Sequence, residues 1–171
     1  MVKVKNISLE KIADPDLVLA LKRWYQLCGK GGLYRREELG FGPLVGAPEI
    51  LNGRSSVVAA DADDPMNYVF AFFGGDFNVY DDRNFVARYL HDIPDKDVMA
   101  TIITCYAEAI EARAPLAHRI DGIFDGINLT YDRIIFPTIN KAGKVDRLVT
   151  LSTEIRRKQP QAARTKPALS L

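Results

Sequence analysis

The sequence predicts an α+β fold, in which an antiparallel sheet of five strands is interrupted by helices. Two runs of strand-forming residues precede a long helical pattern and three follow it, with turn signals between neighbouring runs. Parallel α/β folds instead alternate strands with helices. The chain has 171 residues, of which 47% are hydrophobic, enough for a single domain to build its own core.

The first predicted element is an N-terminal helix over residues 15–28. Asp14 is suited to cap it, and Pro15 suits its first helical position. An apolar stripe recurs at helical spacing and is wide enough to pack on the domain's own sheet or on a second copy of the protein. For the second alternative, the predicted dimer interface consists of Leu17, Leu21, Trp24 and Tyr25.

Residues 33–51 have no clear periodicity and are predicted to be irregular. Residues 55–60 and 67–73 then predict a β-hairpin, rich in β-branched and aromatic residues. Its connection, residues 61–65, carries three aspartates. It lacks the later Gly and Glu of a calcium-binding loop, so we expect a solvated turn there.

Short helical pieces after Gly75 lead to a long helix over residues 96–112, which ends before Pro115. Three strands joined by turns follow and predict an antiparallel meander over residues 116–124, 127–139 and 145–155. In the middle strand, alternation places Arg133 on the same face as two apolar residues, which favours an inward direction. An inward arginine needs an anion, because a buried unpaired charge is costly.

The chain divides into an N-terminal extension (1–14), a domain (15–155) and a basic tail (156–171) that is expected to be disordered. Because no secretion signal precedes the domain, we expect a cytoplasmic protein with two free thiols. The formal net charge of +1 argues against electrostatic capture of nucleic acid or membrane by the whole surface. One alternative function of the protein is to contact nucleic acid through this basic tail, although a tail that only aids solubility is favoured.

The sequence contains no motif for a nucleophile, a phosphate loop or a zinc site, so no catalytic or metal-binding residue is assigned. His91 and His118 are expected at or near the surface. An enzyme on a related α+β scaffold is the second alternative, with Asp76 and Tyr106 as its acid–base pair. One set of residues is expected to face inward and either lines a ligand pocket or belongs to an ordinary hydrophobic core. The predicted ligand-site residues are Phe70, Phe72, Tyr106, Asn128, Tyr131 and Arg133.

Four segments resemble a family of single PAS-like domains common in alphaproteobacteria. They are LVLALKRWYQLCGKGGLYRREELGFGPLVGAPEIL, NYVFAFFGGDF, ARAPL and DRIIFPTINKAGKVDRLVTLS, and Gly74 matches the glycine that ends the family's second strand. The resemblance covers about Leu17 to Thr153. The sequence departs from the family at residues 136–138 and 142–143, where the family tends to have apolar residues around the proline and Asp-Gly.

The resemblance implies a PAS-like sensory or adaptor module that signals without catalysis. Such domains hold a small molecule or cofactor between sheet and helices, or none, and often dimerise through an N-terminal helix. The cofactor is left unknown: His91 is the sole candidate for a haem ligand, and no cysteine lies in a flavin-adduct motif. We therefore expect a homodimer, a separate signalling partner and a small-molecule ligand, without a membrane contact.

Overall fold

A computed structural model describes residues 2–28, 32–35, 40–45, 53–75, 85–124, 127–153 and 156–158. The strands in these residues are β1 (Val2–Ile7), β2 (Tyr34–Arg35), β3 (Ser55–Ala59), β4 (Val69–Phe73), β5 (Leu116–Phe124), β6 (Ile127–Ile139), β7 (Val145–Ser152) and β8 (Arg156–Lys158). The helices are α1 (Pro15–Cys28), α2 (Gly42–Val45) and α3 (Lys96–Ala112). Short 3-10 turns occur at Leu9–Lys11, Pro65–Asn67 and Leu90–Asp92.

One open sheet contains all of these strands, in the order β1-β5-β6-β7-β3-β4. Every neighbouring pair in this order is antiparallel. The two short remaining strands both pair with β6, β8 in antiparallel and β2 in parallel orientation. The predicted α+β class, hairpin and antiparallel meander are therefore confirmed.

Helices cover both faces of the sheet. We call the face beneath α3 the inner face and the face beneath α1 the outer face. The inner core joins apolar residues of α3 to those of the sheet, among them Val98, Met99, Tyr106, Ile120, Leu129 and Ile135. The outer core does the same for α1, with Leu17, Ala20, Trp24, Ile134, Phe136 and Leu151.

Helix α1 packs on the chain's own sheet. Leu17 and Trp24 are only 1% and 3% exposed, and Leu21 packs partly buried beside them, whereas Tyr25 is 54% exposed. Of the two alternatives for the apolar stripe, the structure therefore favours the domain's own sheet for Leu17 and Trp24. Leu17 and Trp24 are therefore not accessible to a second copy of the protein. Of the four residues of the predicted dimer interface, Tyr25 is the one that is exposed.

Helix α3 has the predicted bounds because both of its ends are specified locally. The Asp95 carboxylate accepts hydrogen bonds from the backbone N–H groups of Asp97 and Val98, at 3.0 and 3.1 Å. Arg113 follows the helix in a left-handed conformation, with a φ of 51°. In the described part of the chain, no helix combines the length and the apolar character that crossing a membrane requires.

The sheet has more strands than the five predicted. The predicted N-terminal extension contains β1, the segment expected to be irregular contains β2, and the tail expected to be disordered begins with β8. The strands β2 and β8 have two and three residues, too few for a local pattern to indicate them. The six residues of β1 do alternate apolar and polar side chains at Val2–Lys5, a strand signal that the prediction did not use. The predicted turn at 125–126 and the last two residues of the final predicted strand lie outside the described residues.

The connection between β3 and β4 is solvated, as predicted. Asp61 is exposed and pairs with Arg147 at 3.1 Å. The carboxylate of Asp64 accepts a hydrogen bond from the N–H of Met66 and caps the short turn that follows. Within the described residues, no group of three or more His, Cys, Asp or Glu side chains is arranged to hold a metal ion.

Candidate functional site

A row of four polar residues crosses the inner face of the sheet. Asn6 of β1 pairs with His118 of β5, His118 pairs with Arg133 of β6, and Arg133 pairs with Ser152 of β7. Directly paired residues of antiparallel strands point to the same face, so the four form one line beneath α3. We call this line the polar row. Asn6, at the edge of the sheet, is exposed, and the other three members of the row are buried.

Arg133 is the most unusual member of the polar row. Its exposed fraction is 5%, and its Nε and Nη2 atoms have no hydrogen-bond partner among the described residues. Ser152 beside it instead donates to the backbone carbonyl of Arg54. The inward direction predicted from alternation is therefore correct. Two unpaired donors on a buried cation are costly, so this position requires an explanation beyond packing.

His118 is fully buried, which corrects the expectation of a surface or half-buried side chain. Neither of its ring nitrogens has a hydrogen-bond partner among the described residues. Burial, and then the positive charge of Arg133, lower the pKa of His118 to about 4. Glu108 of α3 lies 4.0 Å from Nε2, beyond hydrogen-bond distance, and its side chain is 45% exposed. His118 is consequently neutral at pH 7.

Helix α3 places a thiol and a phenol over the polar row. Burial raises the pKa of the Cys105 thiol, and the charge of Arg133 and a hydrogen bond between the two side chains act in the opposite direction. Burial likewise raises the pKa of the phenols of Tyr106 and Tyr131, again opposed by Arg133. At pH 7 these groups are neutral, so the fixed positive charge at the centre of the site is that of Arg133.

A cleft of about 580 Å³ opens between β1 and α3. Asn6 lines it from the strand side, and Cys105 and Glu108 line it from the helix side. A smaller void of about 20 Å³ lies against Arg133 and Tyr131. Val2, Val4 and Thr101 line both spaces, so a single layer of side chains separates the open cleft from the buried guanidinium.

The structure brings together only half of the six predicted ligand-site residues. Tyr106, Tyr131 and Arg133 lie at the polar row, and Asn128 is exposed. Phe70 packs in the inner core, whereas Phe72 belongs to the outer core.

Phe70 and Phe72 face opposite sides because a β-bulge interrupts their strand. Val57 pairs with Phe72 while the next residue, Val58, pairs with Phe70. Ala71 is therefore an extra residue, and it reverses the side-chain alternation that the prediction assumed.

Sequence reasoning missed Asn6, His118, Cys105 and Glu108 as members of the site. Asn6 was missed because β1 was not predicted. His118 was placed correctly in a strand, but its burial depends on which strands flank it. The i, i+3 spacing of Cys105 and Glu108 was a usable signal, since it puts both on one side of α3.

The candidate haem ligand lies away from the polar row, and the candidate catalytic acid lies outside the described residues. His91 is exposed; its ring stacks on that of Tyr89 at 4.9 Å, and its Nδ1 is 3.0 Å from the carbonyl of Met66. Its Nε2 lies 3.8 Å from the Asp92 carboxylate. Asp76, the acid of the enzyme alternative, lies outside the described residues.

The two cysteines are free thiols, as predicted. Cys105 is buried and Cys28 is half-buried. Burial also raises the pKa of Cys28, to about 11, which leaves it protonated and unreactive as a nucleophile at neutral pH.

No protein-family model matches this chain, and no curated protein matches it in sequence. The sheet, the cleft and the polar row are the features of the molecule that bear on its function.

Proposed function

We propose that the chain is a PAS-type sensory or adaptor module, which signals through a small ligand and through contacts with a partner protein and has no catalysis of its own. The observation that carries this proposal is the buried polar row beneath α3, reached from an open cleft. Binding sites for small molecules combine apolar walls with a few placed polar groups. The void at Arg133 is mostly apolar, and the cleft above it adds polar residues, among them Asn6 and Thr101, to the apolar Val2 and Val4.

The order of elements supports the PAS-type fold. A hairpin (β3 and β4), a helical segment ending in α3, and a meander (β5 to β7) follow one another along the chain, which is the layout expected of a PAS domain. These five strands also lie side by side in the sheet. In this proposal, β1 extends the sheet beyond β5 and forms one wall of the cleft.

The electrostatics of the polar row favour binding over catalysis. General acid–base catalysis works best when the pKa of the catalytic group lies near the operating pH. Burial instead moves the pKa of His118 well below neutrality and the pKa of Tyr106 and Tyr131 further above it. These side chains can hold a ligand by hydrogen bonds but are poorly suited to exchange protons with it at pH 7.

The remaining parts of the proposal concern partners and location. We place the module in the cytoplasm as a homodimer, with its output passed to a separate signalling protein. A ligand in the cleft would contact both α3 and the edge strand β1, so its arrival and departure can alter the surface that those elements present.

Native mass spectrometry of the full chain, purified gently from cell extract, tests the proposal. The expected result is a mass above that of the polypeptide, which is lost when the same sample is denatured. Affinity capture from the same extract is expected to recover a reproducible partner protein. An empty chain in the native spectrum together with no reproducible partner would contradict the proposal.

A further inference from the structure

The two unpartnered nitrogens of Arg133 lie on one edge of its guanidinium group. The Nε–H bond and one N–H bond of Nη2 point in the same direction, so this edge offers two parallel donors. A carboxylate accepts such a pair of donors through its two oxygens, in a fork-to-fork arrangement. Both nitrogens are buried and lack a partner among the described residues. The free edge therefore matches a planar, two-oxygen anion.

The charge around Arg133 limits the anion to a single negative charge. His118 is neutral, and the cleft beside it is lined by one acid and one base, Glu108 and Lys5. Lys5 and Glu108 offset each other, so a phosphate dianion would have Arg133 as its one buried cation, a poor balance for two charges leaving water. A monocarboxylate would be neutralised by Arg133 alone.

Apolar residues surround the position next to the guanidinium. The void beside Arg133 is lined by Val2, Val4, Val98, Ile102 and Ile120. The void holds about one water-sized sphere, whereas the adjoining cleft has about 580 Å³. Val2 and Val4 line the cleft as well as the void, so a short alkyl group can lie against these two valines in the cleft. Its carboxylate reaches Arg133 when the layer shared by cleft and void moves aside.

We infer that the polar row binds a short-chain monocarboxylic acid, with its carboxylate paired to Arg133 and its alkyl chain in the cleft between β1 and α3. His118 and Cys105 border the head group as neutral neighbours. This inference rests on the proposed ligand-binding function and specifies its ligand class.

Isothermal titration calorimetry of the ligand-free full chain tests the inference with butanoate, butanamide and inorganic phosphate. Butanamide has the size of butanoate without the charge, and phosphate has charge without the alkyl chain. We expect saturable binding of butanoate, and binding at least tenfold weaker for the other two probes.

The variant Arg133→Met is expected to weaken butanoate binding at least tenfold. Arg119→Met is its matched control, because Arg119 lies on the same pair of strands but is exposed and bonded to Asp132 at the opposite face. The control should change butanoate affinity by less than twofold. Should Arg133→Met fail to fold, the comparison of butanoate with butanamide on the unmodified chain still decides the matter.

Equal affinity for butanoate and butanamide, or unchanged butanoate affinity in Arg133→Met, would overturn the inference. So would the absence of any butanoate binding. These failures are distinct from failure of the proposed function, because a neutral or phosphorylated ligand retained in the native mass spectrum would overturn the carboxylate assignment and leave the sensory module standing.

Discussion

His118 links the stability of the fold to pH. It is fully buried, and the charged groups that face it are Arg133 across the strand pair and Glu108 on α3. Its pKa in the folded chain is about 4, against 6.5 for an ordinary histidine. Between these two values the unfolded chain binds a proton that the folded chain excludes, so stability falls as the pH falls.

We predict that the free energy of unfolding decreases on the order of 3 kcal/mol between pH 6.5 and pH 4 because of His118 alone. The variant His118→Gln should lose this component, which urea titrations at several pH values would measure. His91→Gln alters an exposed histidine and serves as the control, which should retain the full pH dependence. The same pH slope in His118→Gln and the unmodified chain would contradict the assignment.

Gly74 lies where a larger residue has no room. A Cβ atom there would overlap the carbonyl oxygen of Gly53 and lie 2.8 Å from that of Ser55, to which Gly74 donates its own N–H. The adjacent Gly75 has no heavy atom within 4 Å of the same built position. The resemblance to PAS-like domains singled out Gly74, and close backbone packing is the physical reason for a glycine.

Gly74→Ala should therefore lower the free energy of unfolding by on the order of 2–3 kcal/mol, since backbone atoms must shift to accommodate the methyl group. Gly75→Ala should change it by less than about 0.5 kcal/mol. Urea midpoints of the two variants provide the measurement. Equal effects at both positions would show that the contact with Gly53 and Ser55 is relieved at little cost.

At the scale of the elements, β1 completes both the sheet and the cleft. It pairs along its whole length with β5, and Val4 packs on the inner core while Lys5 points to solvent. As an edge strand, it is the wall of the cleft that has no second strand to hold it. Its contribution to stability therefore reports how firmly this wall of the cleft is held to the rest of the domain.

We predict that Val4→Ser lowers the free energy of unfolding by about 1 kcal/mol, because it removes partly buried methyl groups. Lys5→Ser, at the neighbouring exposed position, should change it by less than about 0.5 kcal/mol. Chemical denaturation gives both values. If the two variants were equally mild, β1 would contribute little to the folded domain.

For the whole molecule, the burial of α1 against its own sheet determines which residue of that helix can report on a dimer. Trp24 is covered by the sheet, and the ring of Tyr25 meets it edge-on at 5.2 Å from the exposed side of the helix. A charge at Trp24 would disrupt the fold and report nothing about association. Tyr25 is the residue of the predicted interface that a partner subunit can reach.

We predict a homodimer whose mass by light scattering falls to that of a monomer in Tyr25→Glu, since a charge would be buried against a second copy. Gln26→Glu adds the same charge at an adjacent exposed position and should leave the dimer intact. A monomeric unmodified chain at high concentration would contradict the prediction, as would a Tyr25→Glu variant that stays dimeric.

Local signals in the sequence predicted the helices α1 and α3 and the strands β3 to β7 well. A capping aspartate and a following proline are sufficient to bound α3, and alternation in β6 is sufficient to direct Arg133 inward. The site itself depends on which strands are neighbours. Asn6, His118 and Arg133 come from three separated segments, and their alignment is a property of the sheet that no window of sequence contains. The bulge at Ala71 is equally invisible to a simple alternation rule.

The pairing of β3 with β7 has a consequence for synthesis on the ribosome. Ser55 pairs with Leu151, so the hairpin emerges long before the strand that it docks against. The strand β1 is likewise synthesised long before β5, the strand with which it pairs. Through most of translation the nascent chain thus carries apolar strands with unoccupied edges, and we expect it to engage chaperones until its last strands leave the exit tunnel.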